Sequence, residues 1–278
     1  MGFFDKKSGT IDLTNPETKI LASNEAIEKK ASIEAPKFVF EEASDSDKLV
    51  ICIYGEKGAS KTSTALGFPG SIVALSFDMK TAAVKKNLYK SDNRIKVFDA
   101  VKYFDENPDT VLQSAYDTYN YALFLMDKLS KEYPKKIDWV VIDGLEIWSG
   151  IAENVMRYRN GLKPFQGISN LNLWKERKLI MRSLHNKALD IANKGLIYTT
   201  YSADDELIEE GSFISKKKVP KWADVVLFTT DIVIHVDTKQ SKDGKKFLAT
   251  IDNSKVDSFL KTGAVLDLTG HRIFEVLK

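Results

Sequence analysis

Short apolar runs alternate with longer amphipathic stretches through the middle of the chain. Five of the runs are bounded by polar or glycine-containing segments, a pattern that predicts buried β-strands. They lie at residues 48–54, 71–77, 94–98, 139–142 and 195–200. Stretches with apolar residues at helical spacing lie at 109–132, 145–159 and 170–193. This alternation predicts an α/β protein with a mainly parallel sheet flanked by helices.

The two ends of the chain differ from its middle. Residues 231–237 and 246–252 flank the turn at 241–244, which predicts a C-terminal antiparallel hairpin. Residues 1–36 are polar with weak apolar periodicity, and we expect them to form a flexible N-terminal arm. A single nucleotide-binding domain is then expected over residues 37–278.

Composition excludes several classes of protein. The hydrophobic fraction of 43% and the charged fraction of 29% are typical of a chain that buries a core. A single cysteine, Cys52, excludes an internal disulfide, and no apolar run approaches the ~20 residues that cross a bilayer. We therefore expect a cytoplasmic protein without a membrane partner. A net charge of +2 does not by itself demand nucleic acid.

A candidate phosphate-binding loop follows the first predicted strand. It runs Gly55-Glu56-Lys57-Gly58-Ala59-Ser60-Lys61-Thr62, with Ser63 next in the following helix. The usual signature is G-x-x-x-x-G-K-[ST], in which backbone N–H groups cradle phosphates. Lys61 would contact the β- and γ-phosphates of ATP, and the Thr62 hydroxyl would coordinate Mg²⁺.

Ser60 stands where the signature has its last glycine. A positive φ is costly for any residue other than glycine, so the serine must tolerate that conformation. We expect nucleotide binding to survive the change. The competing interpretation is an ordinary strand–turn–helix with a chance Lys-Thr pair.

A second motif supports the phosphate loop. The predicted strand Trp139-Val140-Val141-Ile142 ends at Asp143, which is the Walker B pattern of an apolar run followed by aspartate. The Asp143 carboxylate would hold Mg²⁺ through water. Both ATP and Mg²⁺ are therefore the expected cofactors.

The order of these motifs resembles the RecA/RadA family, and more closely the phage and archaeal RecA-like ATPases of the Sak-type single-strand annealing group. The resemblance covers roughly residues 48–270. It is carried by YGEKGASKT, by FPG before SIVALSFD, by DWVVIDGLE and by GLIYTTYS. It implies a RecA-like P-loop core and an Mg²⁺-dependent ATPase that acts on DNA as a homo-oligomer.

The resemblance also implies roles for individual residues. RecA-like proteins carry D-x-E after the strand that follows the phosphate-loop helix, and the glutamate polarises the attacking water. Here Asp78 is kept, but Lys80 occupies the glutamate position, and a protonated lysine cannot act as that base. Asp78 or Glu146 is a possible substitute. Thr200 and Tyr201 occupy the place of the γ-phosphate sensor.

Residues 203–221 correspond to the mobile DNA-contacting loop of RecA proteins. Four lysines, near Phe213 and Trp222, could bind DNA, single-stranded in preference to double-stranded, by charge and stacking. They are Lys216, Lys217, Lys218 and Lys221. A solvated loop without such a role is one alternative. Contact between these lysines and the nucleotide of a neighbouring subunit, as in RecA-type filaments and rings, is another.

Three functions remain open from the sequence. The leading hypothesis is an ATPase that acts on DNA in recombination, single-strand annealing or replication. Ser60 and Lys80 favour a second, a nucleotide-binding switch or scaffold with little hydrolysis. The third is a viral or plasmid motor.

Overall fold

The computed structural model describes residues 48–208, 214–221, 230–242, 244–256 and 260–276. The predicted N-terminal arm and the boundary between residues 36 and 37 lie outside these ranges, so both stay predictions. In the part of the chain that is described, no helix combines the length and the apolar character needed to cross a membrane.

The strands of the sheet follow one another along the chain as β1 to β9. Their bounds are β1 Leu49–Gly55, β2 Ile72–Ser76, β3 Ile95–Asp99, β4 Ile137–Asp143, β5 Ala192–Ile208, β6 Ile214–Pro220, β7 Ile232–Ser241, β8 Gly244–Ser254 and β9 Val265–Asp267. The helices are α1 Lys61–Leu66, α2 Thr81–Leu88, α3 Val111–Glu132, α4 Leu145–Arg159, α5 Leu171–Ile191 and α6 Ile273–Val276.

The strand order of the sheet is β3-β2-β4-β5-β1-β7-β8-β9, and β6 pairs with β5 outside this path. Neighbours from β3 to β7 are parallel, whereas β8 runs antiparallel to β7 and β9 antiparallel to β8. This is the predicted parallel core closed by a C-terminal antiparallel hairpin, so the predicted fold class is confirmed. The carboxyl ends of β1, β2 and β4 therefore meet beside the middle of β5 at one edge of the sheet, where open α/β sheets bind ligands.

Each central strand is buried on both faces. In β1, Cys52 and Tyr54 belong to the core formed with α3, α4 and α5, while Ile51 and Ile53 belong to a second core on the opposite face. This arrangement explains why the strands are continuous apolar runs rather than alternating ones. Cys52 is fully buried, and burial raises the pKa of its thiol, as expected for a small core residue.

The segment 203–221 differs from the mobile loop that the resemblance implies. β5 continues to Ile208, and β6 returns antiparallel to it. Their register places lysine opposite acid in consecutive pairs, namely Asp204 with Lys218, Asp205 with Lys217 and Glu206 with Lys216. The described backbone of this segment is therefore a two-stranded antiparallel ribbon. Phe213 and Trp222 lie outside the described residues.

Candidate functional site

The phosphate loop connects the buried strand β1 to helix α1. A Cβ atom added to Gly55 would lie 2.1 Å from the backbone oxygen of Val236, so the loop passes closely against β7 where it leaves the sheet. Ser60 precedes α1 with a φ of 72°, in the left-handed region. The sequence predicted a tight loop at this place, and the serine adopts the conformation that the signature glycine usually supplies.

Lys61 lies at the start of α1 with its ammonium group turned back over the loop. Its Nζ donates hydrogen bonds of 3.0 Å to the backbone oxygens of Gly55 and Glu56. The same nitrogen lies 4.1 Å from the centre of the Tyr201 ring. Burial lowers the pKa of Lys61, and the nearby carboxylates of Glu146 and Asp143 oppose this effect. The lysine is thus held by oxygen acceptors that phosphate oxygens could replace.

Asp143 ends β4 and is 1% exposed. Its carboxylate accepts hydrogen bonds from the hydroxyl groups of Thr62 at 3.0 Å, Thr81 at 2.5 Å and Thr199. Burial raises the pKa of this carboxyl group, and the negative charge of Asp78 raises it further.

The Thr62 and Asp143 contact fits a magnesium site. Mg²⁺ prefers oxygen ligands, and the hydroxyl and the carboxylate lie side by side where a divalent cation would replace their mutual hydrogen bond. A cation there would also compensate the buried negative charge. Thr62 and Asp143 are therefore the residues that would hold Mg²⁺.

Two further carboxylates lie at the same edge. Glu146, in the first turn of α4, accepts a 3.2 Å hydrogen bond from the Thr200 hydroxyl. Burial raises its pKa, and the hydrogen bond from Thr200 and the charge of Lys61 oppose this effect. Asp78 follows β2 and accepts a 3.0 Å hydrogen bond from the Lys80 backbone N–H.

One cavity of about 290 Å³ collects most of these groups. From the phosphate loop it is lined by Lys57, Gly58, Ser60, Lys61, Thr62 and Ser63. From the ends of the strands and the helices after them it is lined by Asp78, Lys80, Asp143, Glu146, Thr199 and Tyr201. Three lysines, three carboxylates and several hydroxyls therefore share one cavity, as an anion with a metal ion would require.

A second cavity, of about 360 Å³, shares Ser60 and Ser63 with the first. Its walls are mainly apolar or aromatic and include Tyr89, Phe247 and Leu268. The Tyr89 hydroxyl donates a 2.6 Å hydrogen bond to the Ser63 backbone oxygen. The Arg272 guanidinium lies 4.8 Å from the centre of the Tyr89 ring. No sequence motif predicted this cavity, because its walls come from segments far apart in the chain.

Several predicted site residues have roles other than lining the first cavity. Ala59 is buried, and Glu56 points outward to accept hydrogen bonds from Ser202 at 2.8 Å and Lys218 at 3.0 Å. Thr200, predicted to sense the γ-phosphate, is fully buried and contacts Glu146 instead of lining the cavity. Tyr201, its predicted companion, does line it.

The four candidate DNA-binding lysines lie on or just after β6. Lys216 and Lys217 belong to the strand, and their side chains lie outside what the structure describes. Lys218 is bonded to Glu56, and Lys221 is exposed, with its backbone N–H donating a 2.7 Å hydrogen bond to the Tyr201 oxygen. The hairpin that carries these lysines thus contacts the phosphate loop directly.

Two residues that donate hydrogen bonds to Asp143 were not predicted from the sequence. Thr81 opens α2, and Thr199 directly precedes the proposed sensor pair. The sequence signal for Thr199 is its place, as a polar residue, near the carboxyl end of the predicted strand at 195–200. For Thr81, the sequence contains no signal of a role in the site other than its position directly after Lys80.

Comparison with known proteins shows the family of this chain. No curated protein matches the chain. Among the similar solved structures is a KaiC-like protein of the hyperthermophilic archaeon Pyrococcus horikoshii OT3. The two sequences are 13% identical, the TM-score is 0.42, and the alignment covers 79% of this chain and 84% of the KaiC-like chain. The family model described as AAA domain matches residues 47–258, well over half of the chain and including the phosphate loop and Asp143. The chain therefore belongs to this AAA domain family of P-loop ATPases.

Proposed function

We propose that this protein binds ATP with Mg²⁺ at the phosphate loop, hydrolyses it, and acts on DNA in recombination, annealing or replication. The observation that carries the nucleotide part is the cavity in which Lys61, the Thr62–Asp143 pair and Glu146 come together. In phosphoryl transfer, Lys61 would neutralise charge on the phosphates, Thr62 and Asp143 would bind the metal ion, and Glu146 would activate the attacking water.

The two adjoining cavities suggest how the nucleotide is placed. Phosphates fit the first cavity, with its lysines and backbone loop, and a flat apolar base fits the second, beside Tyr89 and Phe247. Ser60 and Ser63 line both cavities, so a single ligand can extend from one to the other.

Glu146 is our choice for the residue that activates water. Lys80 takes the place of the usual glutamate, whereas Glu146 supplies a carboxylate in the same cavity. Its raised pKa makes it a stronger base than an exposed glutamate, and the Thr200 hydroxyl orients it. Bound Mg²⁺ would neutralise charge on the phosphates. Lys61 would leave the loop oxygens to contact the phosphates.

The hairpin supports the DNA part of the proposal through its position. Lys218 contacts Glu56 of the phosphate loop, and the Tyr54 hydroxyl donates a 3.0 Å hydrogen bond to the Lys218 backbone oxygen. A strand of DNA that engages Lys218 or Lys221 would therefore contact a segment joined to the nucleotide site. Lys218 is already paired with Glu56, so binding is expected to be weak and salt-dependent.

The test is ATP turnover measured with and without single-stranded and double-stranded DNA. Glu146→Gln should lower kcat by about 10²- to 10⁴-fold, as loss of a general base does, while nucleotide affinity changes little. Lys61→Ala should lose both binding and turnover. Glu176→Gln, on α5 and hydrogen-bonded to Asn160, is the matched control and should leave kcat unchanged.

Each outcome separates the candidate functions. Turnover stimulated by single-stranded DNA supports the proposal, and stimulation by double-stranded DNA alone favours a motor. Tight binding with no turnover in the wild-type protein supports the second candidate, a nucleotide switch, which Lys80 in the cavity favours. Turnover that survives Glu146→Gln would exclude Glu146 as the base.

A further inference from the structure

The turn after β2 places Lys80 beside the magnesium-binding residues. The N–H of Lys80 donates to the Asp78 carboxylate, and the next residue, Thr81, donates its hydroxyl to Asp143 at 2.5 Å. Lys80 is therefore fixed on both sides, one residue away from a direct contact with Asp143. A lysine side chain extending from this point can reach a phosphate held between Lys61 and Mg²⁺.

The turn adopts a conformation that most side chains avoid. Met79, between Asp78 and Lys80, has a φ of 59° and is 74% exposed. A left-handed conformation is unfavourable for an unbranched apolar side chain and persists only where the surroundings impose it. Here the hydrogen bonds of Asp78 and Thr81 impose it, and the result is that Lys80 lines the cavity.

The charge of Lys80 is not used elsewhere. Within the described residues, no carboxylate lies at ion-pair distance from its ammonium group. The Lys61 ammonium, by contrast, is bonded to loop oxygens. Lys80 is thus a cation in the phosphate cavity that is available to an incoming anion.

We propose that Lys80 binds the terminal phosphate of the nucleotide and makes the site prefer a triphosphate to a diphosphate. The ammonium group has three donors and a full charge, and the terminal phosphate is the part by which the two ligands differ. This inference rests on the proposed nucleotide site, but it does not require hydrolysis. In place of a base, the residue at this position supplies affinity for the substrate.

Isothermal titration calorimetry on the full chain tests the proposal. The ligands are ADP and the β,γ-imido analogue of ATP, both with Mg²⁺. Lys80→Met should weaken binding of the triphosphate analogue by about 10-fold, the lower end of the range for a hydrogen bond to a charged group, because the side chain is exposed. It should weaken ADP by less than about 2-fold. Lys80→Arg should keep the wild-type ratio of the two affinities.

Lys86→Met is the matched control, since Lys86 is an exposed lysine on α2 that does not line this cavity. It should leave the ratio of the two affinities unchanged. Equal weakening of both ligands by Lys80→Met, or no weakening, would overturn the proposal. A wild-type protein that binds neither nucleotide would refute the proposed function itself, which separates the two failures. Thermal unfolding of each variant verifies that it is folded.

Discussion

Replacing Ser60 with glycine should make the protein more stable. Ser60 precedes α1 with φ 72° and ψ 23°, a left-handed conformation that glycine adopts freely and serine does not. The serine side chain makes no capping hydrogen bond to the helix. The interactions that this residue does make come from its backbone oxygen, which accepts from Ser63 and Thr64 and would be kept in Ser60→Gly.

The magnitude follows from two opposing effects. Relief of the left-handed conformation contributes about 1–2 kcal/mol. The larger freedom of glycine in the unfolded chain costs about 0.5–1 kcal/mol. With the middle of each range, the net gain is about 0.7 kcal/mol, which raises Tm by roughly 1.5–3 °C for a domain of this size.

Urea unfolding followed by circular dichroism measures the change in the free energy of unfolding. The m-value should stay the same, since little surface is altered. Ser60→Ala is the control, because alanine keeps the unfavourable conformation and removes only the hydroxyl, so its stability should equal that of wild type. If Ser60→Ala is clearly destabilised and Ser60→Gly gains nothing, the hydroxyl has a structural role and our reasoning is wrong.

Three further predictions concern stability. Burial raises the pKa of Asp143, so without Mg²⁺ the folded protein keeps a proton on this group at pH values where the unfolded chain has lost it. The stability that this group contributes is present below the ordinary carboxyl pKa of about 3.9 and falls as pH rises from there through the raised value. Asp143→Asn should flatten this dependence in thermal melts, and an unchanged pH slope would contradict it. Gly55→Ala should destabilise by about 1–3 kcal/mol through collision with the Val236 oxygen. The exposed helical Gly150 has no neighbour within 4 Å of an added Cβ, so Gly150→Ala should instead stabilise by about 0.5–1 kcal/mol, as compared by urea unfolding.

The fold was predictable from the sequence because its strands are buried on both faces. Five continuous apolar runs predicted five of the six parallel strands, β1 to β5. Helix α4 begins and ends where the periodicity places it, at residues 145 and 159. The hairpin β5–β6 was not predicted. Its formation depends on the antiparallel register of two strands, and one-dimensional periodicity does not show which residues are paired.

The site was predictable only where the motif itself supplies the chemistry. Lys61, Thr62 and Asp143 are given by short patterns and lie together in the structure. Thr81 and the wall of the second cavity were missed, since a hydroxyl or an aromatic ring becomes part of a site only through tertiary contacts. The outward orientation of the Glu56 side chain was not predicted either, because the sequence of the phosphate loop does not show which side chains face the ligand.

Strand β5 connects these observations. It lies between β4, which ends at Asp143, and β1, which leads into the phosphate loop. Its three consecutive residues Thr199, Thr200 and Tyr201 contact Asp143, Glu146 and Lys61 respectively, which are the proposed metal, base and phosphate residues. The same strand continues into the hairpin with β6. A ligand that displaces this hairpin would therefore act on all three groups through one strand, without separate contacts to each.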